Sequence, residues 1–201
     1  MNNVLYYQER ANMARIMKLL FDRKLTNAAG GNAAFRLNDR HILITPSLMA
    51  ENKHCDITAE DILVCDYELN IIEGDGVLSR ESRMHQLLLK NIPEINGAIH
   101  AHPEYTMVFA AANKAIKSVT ESTQKMGGCE LIQQAKAHST DLAENTLKFF
   151  QEKRHLLKKT GLAGILPYHG IVAVGKSLEQ AFSVIERIEC DARCIIFGKL
   201  I

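Results

Sequence analysis

The residues best suited to chemistry are two histidines, His100 and His102, separated by a single residue. The segment Gly97–Ala101 is small, β-branched and apolar, which predicts a buried strand. Successive side chains of a strand point to opposite faces, so both imidazoles should project from the same face. Pro103 has no N–H to give to a sheet and should end the pairing. Two imidazoles held side by side can share one metal ion, although the same spacing also occurs in histidines that are simply hydrogen-bonded.

A tetrahedral metal site needs two further ligands, and the chain offers candidates in two places. Glu81 lies at the start of a predicted helix that Ser79 would cap, so locally it is a first-turn carboxylate that the helix dipole favours. His169 lies in a turn between the strands predicted at Leu162–Leu166 and Ile171–Val174. Taken alone, each of these two residues is better explained by local structure than by metal binding.

Other histidines and cysteines have structural interpretations. His85, one helical turn after Glu81, is interpreted as a residue of the helix surface or as a neighbour of the site. Cys190 and Cys194 are one helical turn apart and are predicted to be core residues rather than ligands. The five cysteines form no C-x-x-C motif, which is typical of free thiols in a reducing compartment.

Composition narrows the class of protein. The 201 residues are 47% hydrophobic and 23% charged, which predicts one globular domain over residues 1–201 with a sizeable core. The net charge of +1 gives no basic excess for nucleic acid. No apolar run approaches the ~20 residues that span a bilayer, and the first residues lack the apolar core of a signal peptide. We therefore expect a soluble, cytoplasmic protein without a membrane partner.

The hydrophobic pattern switches repeatedly between helical and strand periods. Helices are predicted at residues 4–25, at 105–112, from Ser139 or Thr140 to about 158, and after the capping box Ser177–Gln180. Further strands are predicted at 33–37, 41–45, 62–65 and 116–120. Residues 121–138 have no clear period and are interpreted as a loop that carries function or contacts a partner.

A pair of glycines, Gly30 and Gly31, follows the first predicted helix. Glycines with flanking asparagines predict a turn with positive φ, whose backbone N–H groups can bind an anion. A helix C-cap followed by a tight turn explains the same residues, and the local chemistry favours that simpler interpretation.

Taken together, the motifs resemble those of the class II aldolase/adducin family, the zinc aldolases and epimerases that act on phosphorylated sugars. The resemblance runs from about residue 10 to residue 198. It rests on Gly30-Gly31-Asn32, Ile44-Thr45-Pro46-Ser47, Ser79-Arg80-Glu81 followed by His85, His100-Ala101-His102-Pro103, and His169-Gly170 followed by Val174-Gly175. Each motif is weak alone, but their order and spacing make the combination specific.

This resemblance implies a fold and a site. The implied fold is a three-layer α/β/α domain with a mainly antiparallel central sheet, and the family usually forms homotetramers. The implied ligands of Zn²⁺, or of another divalent cation such as Mn²⁺ or Co²⁺, are His100, His102, His169 and Glu81. Glu81 would also be the catalytic acid or base. The residues implied in binding substrate phosphate are Gly31, Asn32, Ser47 and Ser79.

The implied reaction is retro-aldol cleavage of a short ketose phosphate, similar to fuculose 1-phosphate, to a dihydroxyacetone phosphate-type product and an aldehyde. The sequence departs from many relatives at Leu48, where they have glycine, and at Arg80, where they have a hydroxyl residue. Arg80 could hold phosphate or carboxylate, or point to solvent, so a carboxylated substrate stays open. The loop after the histidine pair lacks the tyrosine that family aldolases use as a base, which leaves Glu121 and Tyr168 as candidates.

Two kinds of alternative remain. The first is decarboxylation, dehydration or 4-epimerisation through the same enediolate chemistry. The second is a non-catalytic, adducin-like binding module, which loss of metal ligands would mark; all four are present here.

Overall fold

The computed structural model describes residues 4–201, and its centre is an eight-stranded sheet with the strand order β4-β3-β2-β1-β5-β8-β7-β6. The strands are β1 (Asn32–Arg36), β2 (His41–Ile44), β3 (Leu63–Asp66), β4 (Ile71–Glu73), β5 (Gly97–Ala101), β6 (Glu130–Leu131), β7 (Leu162–Leu166) and β8 (Gly170–Gly175). Neighbouring strands are antiparallel except for β6 and β7, which are parallel. The predicted mainly antiparallel sheet is therefore confirmed.

Eight α-helices lie in the described part of the chain. They are α1 (Tyr7–Asp22), α2 (Met49–Lys53), α3 (Ser82–Asn91), α4 (Glu104–Ala111), α5 (Glu121–Gln124), α6 (Thr140–Glu152), α7 (Arg154–Leu157) and α8 (Leu178–Phe197). A short 3₁₀ turn, Gly198–Leu200, follows α8. None of the helices within residues 4–201 combines the length and the apolar character needed to cross a membrane.

Strand β5 shows how the helices form two layers on the sheet. A Cβ atom added at Gly97 would lie 2.6 Å from the backbone nitrogen of Leu178, so the face that carries Gly97 packs on the start of α8. His100 has the opposite parity and therefore points to the other face, where α3 packs on β1 and β5. Helices α1 and α4 contact α8, and α6 contacts α3. The result is the predicted three-layer α/β/α arrangement, with every residue of β5 buried.

Several element predictions are corrected by the structure. The first helix begins at Tyr7 rather than residue 4, because Tyr6 has a left-handed backbone (φ 55°) that a helix cannot continue through. Residues 116–120 are not a strand; Ile116 forms only an isolated bridge with Cys129. The helix predicted to reach about residue 158 ends at Glu152, and a separate helix, α7, begins two residues later at Arg154.

The cysteine prediction is wrong for one pair. Cys190 and Cys194 are exposed, because the buried stripe of α8 runs through Ile188, Asp191 and Ala192 instead. The other three cysteines are buried and free. Two of the three helix caps predicted from serine are confirmed: Ser139 Oγ accepts from Leu142 N at 3.1 Å, and Ser177 Oγ accepts from Gln180 N at 3.2 Å.

Candidate metal centre and active site

Three histidines converge where β5 ends and β8 begins. His100 projects from β5, His102 follows the strand end, and His169 lies in the turn between β7 and β8. The register explains the meeting, because Ala101 pairs with Ile171, which sets the turn before β8 beside the end of β5. One ring nitrogen of each histidine lies within 4.8 Å of those of the other two.

The tautomer of His100 follows from its surroundings. Its Nδ1 lies 3.0 Å from the carbonyl oxygen of Ile171, which can only accept, so Nδ1 carries the hydrogen. The lone pair of Nε2 then points into the cluster, where the Nε2 atom of His102 is 2.9 Å away. A backbone carbonyl that fixes one ring nitrogen while the other faces the centre is the usual support for a metal-ligating histidine.

Burial keeps the imidazoles of His100 and His102 neutral. It lowers the pKa of His100 well below its ordinary value, and the nearby His169 ring adds to the effect. Burial, helped by the adjacent His100, lowers the pKa of His102 to about 3. Neutral imidazoles offer lone pairs at pH 7, which metal ligation requires.

Glu81 closes the cluster from the side of α3. It is buried, with Oε2 3.4 Å from His100 Nε2 and Oε1 3.3 Å from His169 Nε2. Its place before the helix differs from the prediction: Glu81 is the N-cap residue of α3, and Ser79 lies two residues earlier. The Ser79 hydroxyl accepts from the backbone N–H of Glu81 at 3.3 Å, so it shapes the turn before α3 rather than capping the helix.

A chain of two hydrogen bonds holds the Glu81 carboxylate. Asn32 Nδ2 donates to Glu81 Oε2 at 2.9 Å, and Asn32 Oδ1 lies 2.6 Å from His85 Nε2. Because the amide donates to the carboxylate, its oxygen accepts, so the hydrogen of His85 lies on Nε2. His85 is fully buried, and burial lowers its pKa to about 4. The helix-surface interpretation of His85 is wrong, whereas its interpretation as a neighbour of the site is confirmed.

The cluster forms one end of a cleft of about 520 Å³. Sequence-predicted residues that line this cleft are Gly31, Asn32, Ser47, Ser79 and Arg80, so the fold brings all five together around the histidines. The side-chain amide of Asn32 is engaged with Glu81 and His85, and we expect any contact of this residue with phosphate to come from its backbone.

The glycine turn lies directly against the metal centre. The C-cap of α1 is Arg23, so the Gly30–Gly31 pair does not cap the helix, whereas the predicted tight turn is present, with the Gly30 N–H donating to the Asn27 carbonyl oxygen at 3.2 Å. Gly31 has φ +121°, and a Cβ atom there would lie 2.6 Å from Thr26 Oγ1. A Cβ atom at Gly30 would lie 2.7 Å from Cε1 of His102. Glycine at residue 30 is therefore needed for close approach to the imidazole.

One residue of the site was missed by sequence reasoning. His138 comes from the stretch interpreted as a functional loop, directly before Ser139, and lines the cleft with Nδ1 3.8 Å from Glu81 Oε1. Within residues 4–201 the cleft lining includes neither Glu121, an exposed residue of α5, nor Tyr168, which is 59% exposed. A histidine immediately before a strong N-cap was the only local signal.

The donor set fits a divalent cation. Two neutral Nε2 atoms 2.9 Å apart would bring two lone pairs together unless a cation or proton lies between them. Glu81 Oε1 is buried and has no hydrogen-bond partner among residues 4–201. A cation beside these atoms would satisfy all of them, and imidazole with carboxylate is a ligand combination that zinc accepts.

The fold and the site together define an α/β protein with a cluster of three histidines that could hold a metal ion, beside a buried carboxylate. The family model for the class II aldolase and adducin N-terminal domain matches residues 11–196, so the chain belongs to this family. Its members that match include aldolases, which makes the protein a lyase of the class II, metal-dependent type.

Individual relatives cover nearly the whole chain. An L-fuculose phosphate aldolase of Methanococcus maripaludis is 31% identical over 176 residues, 87% of this chain and 89% of its own. A 3-oxo-tetronate 4-phosphate decarboxylase of Haemophilus influenzae is 27% identical over 187 residues, 90% of this chain and 83% of its own. A solved L-fuculose 1-phosphate aldolase is 25% identical with a TM-score of 0.83, covering 100% of this chain and 90% of its own.

Proposed function

We propose that the protein cleaves a short phosphorylated ketose, similar to fuculose 1-phosphate, into a dihydroxyacetone phosphate-type product and an aldehyde. One observation carries the proposal: three imidazoles and the carboxylate of Glu81 meet in a cleft that the Gly30–Gly31 turn also lines. Relatives named as fuculose phosphate aldolases support this substrate class.

We assign the ligands of the cation to His100, His102 and His169, with Glu81 as the fourth. When bound, the ion polarises the substrate carbonyl and stabilises the negative charge that develops as the C–C bond breaks. Zn²⁺ is the ion we favour, with Mn²⁺ or Co²⁺ as alternatives, because imidazole and carboxylate suit all three.

The protein's own residues supply the rest of the chemistry. Glu81 is held by Asn32 with its carboxylate at the cluster, where it can give or take the proton at the enediolate carbon. The phosphate is assigned to the backbone of Gly31 and Asn32 and to the hydroxyls of Ser47 and Ser79, which share the cleft with the histidines.

A second candidate reaction is decarboxylation of a phosphorylated keto acid. Arg80 is exposed and lines the cleft next to Glu81, and its planar guanidinium suits a carboxylate. The decarboxylase from H. influenzae supports the same possibility by similarity. Dehydration and 4-epimerisation use the same centre and are further alternatives, while the complete ligand set argues against a non-catalytic binding module.

Substrate profiling tests the assignment. Purified protein loaded with zinc should release aldehyde from ketose 1-phosphates and much less from the same sugars without phosphate. A keto-acid phosphate run in parallel should release no carbon dioxide. Carbon dioxide release from that substrate, with no aldehyde from any ketose phosphate, would replace the aldolase proposal with the decarboxylase one.

Three further features remain predictions. They are the single domain over residues 1–201, the homotetramer and the cytoplasmic location. Sedimentation of the purified protein is the direct test of the tetramer.

A further inference from the structure

A fourth imidazole faces the catalytic carboxylate, and neither the predicted ligand set nor the three-histidine cluster includes it. His138 Nδ1 lies 3.8 Å from Glu81 Oε1, and its ring stands edge-on to that of His169 with centroids 5.8 Å apart. This distance exceeds a hydrogen bond, so the two groups do not pair directly, and a hydroxyl placed beside both could contact each of them.

His138 differs from the cluster histidines in exposure. Its side chain is 34% exposed, compared with 18% for His169 and 1% for His100. It lines the cleft, and among these rings it is the one most open to an entering molecule. Its backbone is left-handed (φ +64°), a conformation that is uncommon for a residue other than glycine and is often found at functional sites.

The two oxygens of Glu81 have different surroundings. Oε2 accepts from Asn32 Nδ2 and lies near His100, whereas Oε1 is buried and has no hydrogen-bond donor among residues 4–201. A carboxylate oxygen has two lone-pair positions, so a cation that occupies one of them leaves the other for a donor from the substrate. His138 Nδ1 lies 3.8 Å from Oε1, so one small group could contact both atoms.

The different surroundings of the two Glu81 oxygens distinguish two ends of the space beside the carboxylate. Asn32 is part of the glycine turn that we assign to phosphate, and it lies at Oε2. We assign His138, which lies at Oε1, to the end of the substrate remote from the phosphate. In a ketose 1-phosphate that end carries the hydroxyl that becomes the aldehyde oxygen on cleavage.

We propose that His138 is a substrate-contacting residue which, together with Glu81 Oε1, hydrogen-bonds the hydroxyl that cleavage converts into the aldehyde. The hydroxyl donates to Oε1 and accepts from the imidazole N–H. The inference rests on the proposed aldolase function and adds to it a residue for the aldehyde half of the substrate.

Two half-reactions distinguish a substrate contact by His138 from a purely structural role of this residue. Exchange of a carbon-bound proton of dihydroxyacetone phosphate with D₂O needs the metal centre, Glu81 and the phosphate contacts, but no aldehyde. Condensation of dihydroxyacetone phosphate with lactaldehyde needs the aldehyde contact as well. We expect His138→Ala to lower the condensation rate by roughly 10–100-fold, the effect of losing one strong hydrogen bond. Proton exchange and metal content should stay within about threefold of wild type.

Two further variants sharpen the test. His138→Gln keeps a hydrogen-bonding side chain and should recover about tenfold of the lost condensation rate. His155→Ala removes an exposed histidine of α7 and should change neither half-reaction.

Equal losses of exchange and condensation in His138→Ala, a loss of bound metal, or an unchanged condensation rate would each overturn the role of His138. A different outcome is a wild-type protein that retains its metal but catalyses neither proton exchange nor condensation of dihydroxyacetone phosphate. That result would overturn the proposed aldolase function and, with it, the proposed hydroxyl contact.

Discussion

The side-chain amide of Asn32 donates a 2.9 Å hydrogen bond to Glu81 Oε2, and through it β1 fixes a carboxylate that belongs to the start of α3. His85 Nε2 donates to the oxygen of the same amide, Asn32 Oδ1, at 2.6 Å. Both supporting residues are buried, so the carboxylate is positioned by the core of the protein rather than by a surface loop.

We expect Asn32→Asp to impair turnover, because it replaces a donor with a second carboxylate beside Glu81 and like charges repel. Loss of such a supporting group typically costs about 10–100-fold in activity, and we expect that range in kcat. Steady-state kinetics and elemental analysis measure the effect. Asn91→Asp, at the exposed end of α3, is the control and should keep wild-type turnover. Unimpaired Asn32→Asp would contradict the role of the amide.

Gly30→Ala should weaken metal binding, because the new Cβ would lie 2.7 Å from Cε1 of His102 and must displace the ring. We expect the zinc affinity to fall about tenfold or more, as measured by competition with a chromogenic chelator. Gly198→Ala is the matched control, since a Cβ atom there meets nothing within 4 Å. Equal zinc affinity in the two variants would show that the glycine turn does not determine the position of His102.

The stability of the metal-free protein should depend on His85 in mildly acidic solution. Its pKa is about 4 in the folded protein and about 6.5 in the unfolded chain, so the unfolded state binds the proton first as the pH falls. The contribution is intact above pH 6.5 and is lost progressively toward pH 4, by roughly 3 kcal/mol in total.

Urea unfolding at a series of pH values, with chelator present, measures this loss. His85→Gln should make the fall in the free energy of unfolding between pH 6.5 and pH 4 less steep, because glutamine does not titrate while His100 and His102 still do. His155→Gln, at an exposed position of α7, should leave the slope unchanged. A pH dependence as steep in His85→Gln as in wild type would contradict the assignment.

Glu189 of α8 should stabilise the segment that follows His102. Its carboxylate accepts from the backbone N–H groups of Tyr105 and Thr106 and from Thr106 Oγ, each at 2.7 Å, at the start of α4. We expect Glu189→Ala to lower the free energy of unfolding by about 2 kcal/mol. Glu186→Ala removes a carboxylate that pairs with exposed Arg23, and should cost less than about 1 kcal/mol in the same denaturation experiment.

The central strand and its chemistry could be predicted from the sequence because they depend on local periodicity. The alternation in Gly97–Ala101 correctly placed His100 on one face and its neighbours on the other. The caps Ser139 and Ser177 were also correct, since a serine hydroxyl can accept from a free N–H of the first helical turn, although Ser79 shows that a serine before a helix need not be its cap. The family resemblance then linked His169 to the pair, which spacing alone could not have done.

The misplaced features depend on tertiary structure. His85 looked like a surface residue because histidine is polar, but its hydrogen bond to Asn32, 53 residues away in sequence, satisfies it in the core. Cys190 and Cys194 are apolar by type yet lie on the exposed side of α8. His138 was missed because its position is set by a left-handed backbone in an aperiodic loop, which no hydrophobic pattern records.

The most direct test is the metal content of wild type and of the double variant His100→Ala/His102→Ala, measured by elemental analysis beside an aldol-cleavage assay. We predict about one divalent ion per wild-type chain, and its loss together with activity in a double variant that still folds. A folded wild-type protein that binds no metal, even after addition of zinc, manganese or cobalt, would contradict the account.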